Sequence, residues 1–163
     1  MLRDLMRLLR LQPQGSIHWI NEDLAIGRPE GDDGWQDLRA QGVRAVVDLS
    51  AECGGIGERV RQRDMRYLRL AIDRTGLPEP EELHIVTSWV LQRIGDGGAV
   101  LIHDTDGRGN DVLLACAVMV KNGWNVEKAK AHLRRLCDTA MVGYQVKLLH
   151  QFVAQRALAE NRG

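Results

Sequence analysis

Between Val100 and Val120 an apolar run enters a loop with two glycines and then nine apolar residues in succession, Val112 to Val120. A helix that is apolar on every side has to be enclosed. The run before it, Val100-Leu101-Ile102-His103, reads as a strand buried on both faces. Strand, glycine loop and enclosed helix together demand an α/β core, and a loop built this way presents backbone N–H groups to an anion. Yet Asp104-Thr105-Asp106-Gly107-Arg108-Gly109-Asn110-Asp111 carries three carboxylates and one arginine. Loop architecture and loop charge point in opposite directions.

The remaining signals alternate between strand and helix. Ile17 to Ile20 and Leu24 to Gly27 read as strands about the turn Asn21-Glu22-Asp23. Asp32, Asp33 and Gly34 precede a helix expected over Trp35 to Gln41, which Gly42 stops. Val43 to Leu49 is a valine-rich buried strand, Ser50 to Gly57 a glycine-rich loop, and Glu58 to Arg63 a short charged helix. Met65 to Ile72 is expected as a strand with Leu68, Leu70 and Ile72 on its buried face. Pro80-Glu81-Glu82 opens a helix that runs to Ile94, because proline and acids suit a first turn. Ala99 to His103 follows as a strand. Asn125 caps a helix to Leu136, and Gly143 opens a last helix with Tyr144, Leu148, Phe152 and Ala159 on one face. The expected fold is a single α/β domain over residues 15–160, with a mostly parallel central sheet flanked by helices on both faces. Residues 1–14 are expected as an N-terminal amphipathic helix or extension.

Lysine plus arginine and aspartate plus glutamate are equal at 22 each, so net charge gives no general attraction to nucleic acid or acidic membranes. Cys53, Cys116 and Cys137 have no metal-ligand spacing and read as free thiols in a reducing, cytoplasmic setting. Near the start, Arg3, Arg7 and Arg10 interrupt the leucines, so a signal peptide is not expected. That amphipathic stretch is a candidate self-association surface. No stretch is long enough to span a bilayer, and the tryptophans Trp19, Trp35, Trp89 and Trp124 are expected in the core.

The order of parts over Ile17 to Phe152 resembles the dual-specificity branch of the cysteine-based protein tyrosine phosphatase superfamily. Asn21-Glu22-Asp23-Leu24-Ala25-Ile26-Gly27 looks like that family's opening hairpin. Leu38 to Leu49 looks like its helix, glycine and strand. Asp73-Arg74-Thr75-Gly76-Leu77-Pro78 is similar to its general-acid loop. The family signature is His-Cys, five residues, Arg, then Ser or Thr. The resemblance implies a thiolate that attacks phosphorus, an arginine that grips the phosphoryl oxygens and a hydroxyl that assists departure of the sulfur. Here His103 and Gly107 match, but Asp104 stands at the cysteine position, Asn110 at the arginine position and Asp111 at the hydroxyl position. Asp73 stands at the general-acid position. The resemblance therefore implies a protein tyrosine phosphatase-like fold and a degenerate member, a pseudophosphatase.

A carboxylate is a weaker nucleophile than a thiolate, and where carboxylates attack phosphate a divalent cation normally shields the charges. Asparagine cannot supply the bidentate grip of arginine. An anion about 5 Å from one carboxylate, at an effective dielectric near 20, is repelled by about 3 kcal/mol per unit charge, or about two decades of affinity. The expected arrangement is a loop whose amides are filled from within, Asp104 or Asp111 accepting their N–H groups. Thr105, Asp106, Gly107, Arg108 and Gly109 are the candidate binding residues, and His103 is expected as a hydrogen-bonded structural histidine. No cofactor is implied, and the expected partner is a protein that the sequence does not identify. Three alternatives stand beside this reading. Asp104-Thr105-Asp106-Gly107 also looks like the nucleophile motif of magnesium-dependent aspartate phosphatases, although no convincing later acidic pair completes it. Asp104, Asp106 and Asp111 form a candidate divalent-cation loop, although the closing glutamate of an EF-hand is missing. The third alternative is an inactivated variant of an active phosphomonoester hydrolase.

Overall fold

The structure is a computed structural model that describes residues 15–51, 54–72, 76–105, 107–137 and 139–162. Five strands form one sheet: β1 (Gly15–Trp19), β2 (Leu24–Pro29), β3 (Val43–Asp48), β4 (Arg66–Arg69) and β5 (Ala99–His103). Their spatial order is β1-β2-β5-β3-β4. β1 pairs antiparallel with β2, and every other pairing is parallel. Between β1 and β2, Asn21 Oδ1 accepts the Asp23 N–H at 2.9 Å, an Asx turn that sets the hairpin. The helices are α1 (Gly31–Ala40), α2 (Ile56–Arg61), α3 (Pro80–Gly95), α4 (Asn110–Lys121), α5 (Val126–Leu136) and α6 (Gly143–Glu160). The sheet is mostly parallel and helices cover both of its faces, as the alternation of signals implied.

β5 lies mid-sheet between β2 and β3, and all five of its residues are buried. Side chains alternate along it, so Val100 and Ile102 meet one core and Ala99 and Leu101 the other. On the first face α4 is the keystone: every residue from Val112 to Val120 is buried, against Leu83, Val86 and Val90 of α3, Leu133 of α5 and Leu149 and Phe152 of α6. On the second, Trp35 and Leu38 of α1 and Val60 of α2 cover Val46 and Leu101. Asn125 caps α5 by accepting from the N–H groups of Glu127 at 3.0 Å and Lys128 at 3.2 Å.

Several expectations need correction. α1 begins at Gly31, so Asp32 and Asp33 sit inside its first turn, where the positive helix end favours acids. α2 starts at Ile56, two residues before Glu58. β4 covers only Arg66–Arg69, and it is an edge strand of the sheet. Leu68 and Leu70 are therefore only half-buried, and Tyr67, on the opposite side, is half-buried against the second core. In α6 the buried face is Gln145, Leu148, Leu149 and Phe152. Leu148 and Phe152 are buried as expected, but Tyr144 is 56% exposed and Ala159 is exposed, because Gln145 and Leu149 complete the inward face in their place. Trp35 is buried and Trp19 and Trp89 half-buried, but Trp124 is 38% exposed, tilted against the His132 ring at 5.3 Å. The N-terminal helix, Cys53, Asp73 and Asp106 lie outside the described residues.

Candidate functional site

The candidate loop starts where β5 ends, at the carboxyl edge of the parallel strands. This is where open α/β sheets place ligand sites. Beneath it β3 and β5 are stitched together: Asp48 faces His103 in register, and Leu49 N–H donates to His103 O at 2.8 Å. His103 Nδ1 lies 3.1 Å from Asp48 Oδ1 and 3.3 Å from Ser50 Oγ. Tyr67 donates its hydroxyl to Asp48 Oδ2 at 2.7 Å, and Ser50 N–H donates to Oδ1 at 3.0 Å. Burial alone would raise the Asp48 carboxyl. The bonds from His103, Tyr67 and Ser50 outweigh it and hold the pKa at about 2. An ionised Asp48 can only accept, so Nδ1 of His103 carries the proton. Trp35 closes the other side, its ring centroid 5.6 Å from that of His103. The expected structural histidine is thus held by a four-membered polar network of Asp48, His103, Ser50 and Tyr67.

Above this base Asp104 is 8% exposed, Thr105, Gly107 and Arg108 are exposed, and Gly109 is buried. Gly107 and Gly109 adopt φ of 63° and 85°, the left-handed region in which glycine carries no side-chain penalty. Gly109 is the residue from which α4 starts. A Cβ there would meet Gln145 Oε1 at 3.3 Å and Ala140 O at 3.4 Å.

Asp104, Thr105, Gly107 and Asp111 line a cavity of about 300 Å³ with His18, Arg28, Cys137 and Thr139. Asp111 Oδ1 accepts the Val112 N–H at 2.8 Å, so one of the two expected carboxylates does fill an amide of the α4 N-terminus. Burial raises the Asp111 carboxyl, and the charge of Asp104 raises it further. The Val112 N–H and His18 pull it back without cancelling the rise. The two carboxylates therefore repel each other inside one cavity.

Asn110 goes elsewhere. It is 6% exposed, and its Oδ1 accepts from Gln145 Nε2 at 2.9 Å. Two thiols remain within the described residues: burial pushes Cys116 up to about 12, and half-buried Cys137 lines the cavity. Among the described residues no three of His, Cys, Asp and Glu gather at metal-binding distance.

Many solved structures share this architecture. The chain matches PTPMT1 at a TM-score of 0.79 and 19% identity, over 90% of this chain and 99% of that one. It matches Tk-PTP in its active form at 0.74 and 23%, over 84% and 95%. It matches human DUSP28 at 0.74 and 17%, over 87% and 99%. The chain has a dual-specificity phosphatase fold. No protein-family model and no curated protein sequence matches it. In this fold residues 104–109 join β5 to α4, and Asn110 and Asp111 lie in the first turn of that helix.

Sequence reasoning brought Asp104, Asp111, Thr105 and Gly107 to one site, and the cavity gathers them. It missed His18 and Arg28, which arrive from the hairpin with no local motif. It also missed Asp48 and Gln145, and both left a signal. Asp48 is a charge at the end of an apolar run, and Gln145 stands at i, i+3, i+4 and i+7 with Leu148, Leu149 and Phe152.

Proposed function

We infer that this protein is a catalytically inactive phosphatase-like protein, a pseudophosphatase that serves as a binding or scaffolding module. The single observation that carries this reading is the pairing of Asp104 and Asp111 in the loop cavity. The resemblance assigns those two positions to the attacking sulfur and its assisting hydroxyl. A carboxylate in place of the thiolate is a poor nucleophile for a phosphomonoester, and the second carboxylate adds repulsion where the phosphoryl group would sit. Asn110, at the clamp position, has no cationic charge and spends its carbonyl oxygen on Gln145. What persists is the phosphatase-like scaffold with a cavity at this loop, which suits recognition of a partner without turnover.

The test is an aryl-phosphate assay of the chain with and without magnesium, beside a variant carrying Asp104→Cys, Asn110→Arg and Asp111→Ser. The expected result is no turnover by the chain under either condition and measurable turnover by the variant. Turnover by the unaltered chain would contradict inactivity. Turnover that requires magnesium would favour the aspartate-nucleophile alternative.

A further inference from the structure

Gln145 is a fully buried polar side chain on the inward face of α6, and each end of its carboxamide is engaged. Its Oε1 accepts the Val142 N–H at 3.0 Å, which secures the start of its own helix. Its Nε2 donates to Arg108 O and to Asn110 Oδ1, both at 2.9 Å. Oε1 also stands 3.3 Å from where a Cβ on Gly109 would be. One carboxamide thus bonds to positions 108 and 110, on either side of Gly109, and ties them to an element 35 residues further on. Gly109, the residue before α4, has no side chain with which to cap that helix, so the turn into it leans on this distant side chain.

We propose that Gln145 is the positioning residue of the loop, a latch from α6 that sets where the loop backbone lies and keeps residue 110 turned away from the cavity. Burying an amide is costly unless all of its groups are bonded, and here both ends are. The loop, not the helix, receives both donated bonds, so losing them loosens residues 108–110 more than it loosens the core. The latch does not depend on the loop being inactive. It fixes the geometry of anything the loop grips, whether or not turnover follows.

Hydrogen–deuterium exchange on the full chain tests it, with Gln145→Met (similar volume, no donors) and Gln145→Glu (retains an acceptor for Val142 N–H, loses the donors when ionised). In both, amide exchange over residues 104–113 is expected to accelerate about tenfold or more relative to β3 and β5. Phe152→Ala, on the same helix face, is the control for general loosening. It is expected to raise core and loop exchange together. In the Asn110→Ala background, Gln145→Met is expected to add less to loop exchange than it does alone, because one of the latch's bonds is already gone. Loop exchange that stays unchanged in Gln145→Met, or rises only in step with the core, would overturn the latch.

Discussion

Asp48 ends β3 and Asp111 lies in the first turn of α4, and the fold treats these two carboxylates in opposite ways. Asp48 receives bonds from His103, Tyr67 and Ser50, and its pKa falls from 3.8 to about 2. A carboxyl lowered on folding contributes stability above its unfolded pKa and loses it as pH falls through the folded one. Asp48 is therefore worth about 2 kcal/mol at neutral pH, lost between roughly pH 4 and 2. Urea denaturation at a series of pH values should show that loss, and Asp48→Asn should remove it while lowering stability at neutral pH. Asp111 has the reverse sign. Its carboxyl is raised by burial and by Asp104, so its charge opposes folding once pH rises above the unfolded carboxylate range. Asn keeps an acceptor for Val112 N–H. Asp111→Asn should therefore raise Tm at neutral pH, with the gain fading below the carboxylate range. A Tm that drops at neutral pH would show that the charge itself supports the loop.

At the scale of elements, α4 and α6 decide the molecule. Phe152 is fully buried and stacks on the His84 ring with centroids 4.4 Å apart. Phe152→Ala should cost about 3–5 kcal/mol in chemical denaturation. Asn125→Ala removes the α5 cap and should cost only about 1 kcal/mol. α4, β3 and α5 were legible because each signal is local: an all-apolar run, a valine-rich strand, an asparagine cap. On α6 the periodicity placed Leu148 and Phe152 inward but did not single out Gln145. Its partners, Arg108 and Asn110, lie far away in sequence, and no helical periodicity reports them. β4 was read too long because its apolar residues divide between two cores, so that alternation alone does not show where strand pairing stops.

For the whole molecule, the fold was legible through the order of its parts, and the site through three substitutions in one loop. The polar network beneath the loop was not legible, since Asp48, Ser50, Tyr67 and His103 meet only after β3, β4 and β5 align. Among the described residues no helix is long and apolar enough to cross a membrane. The proposed function rests on charge: Asp104 and Asp111 would repel an oxyanion from the cavity that they line. Its most direct measurement is isothermal titration with orthovanadate at neutral pH, on the unaltered chain and on an Asp104→Ser/Asp111→Ser variant. The prediction is no saturable heat from the unaltered chain and one-site binding by the variant. Saturable one-site binding to the unaltered chain, with an affinity equal to that of the variant, would contradict it.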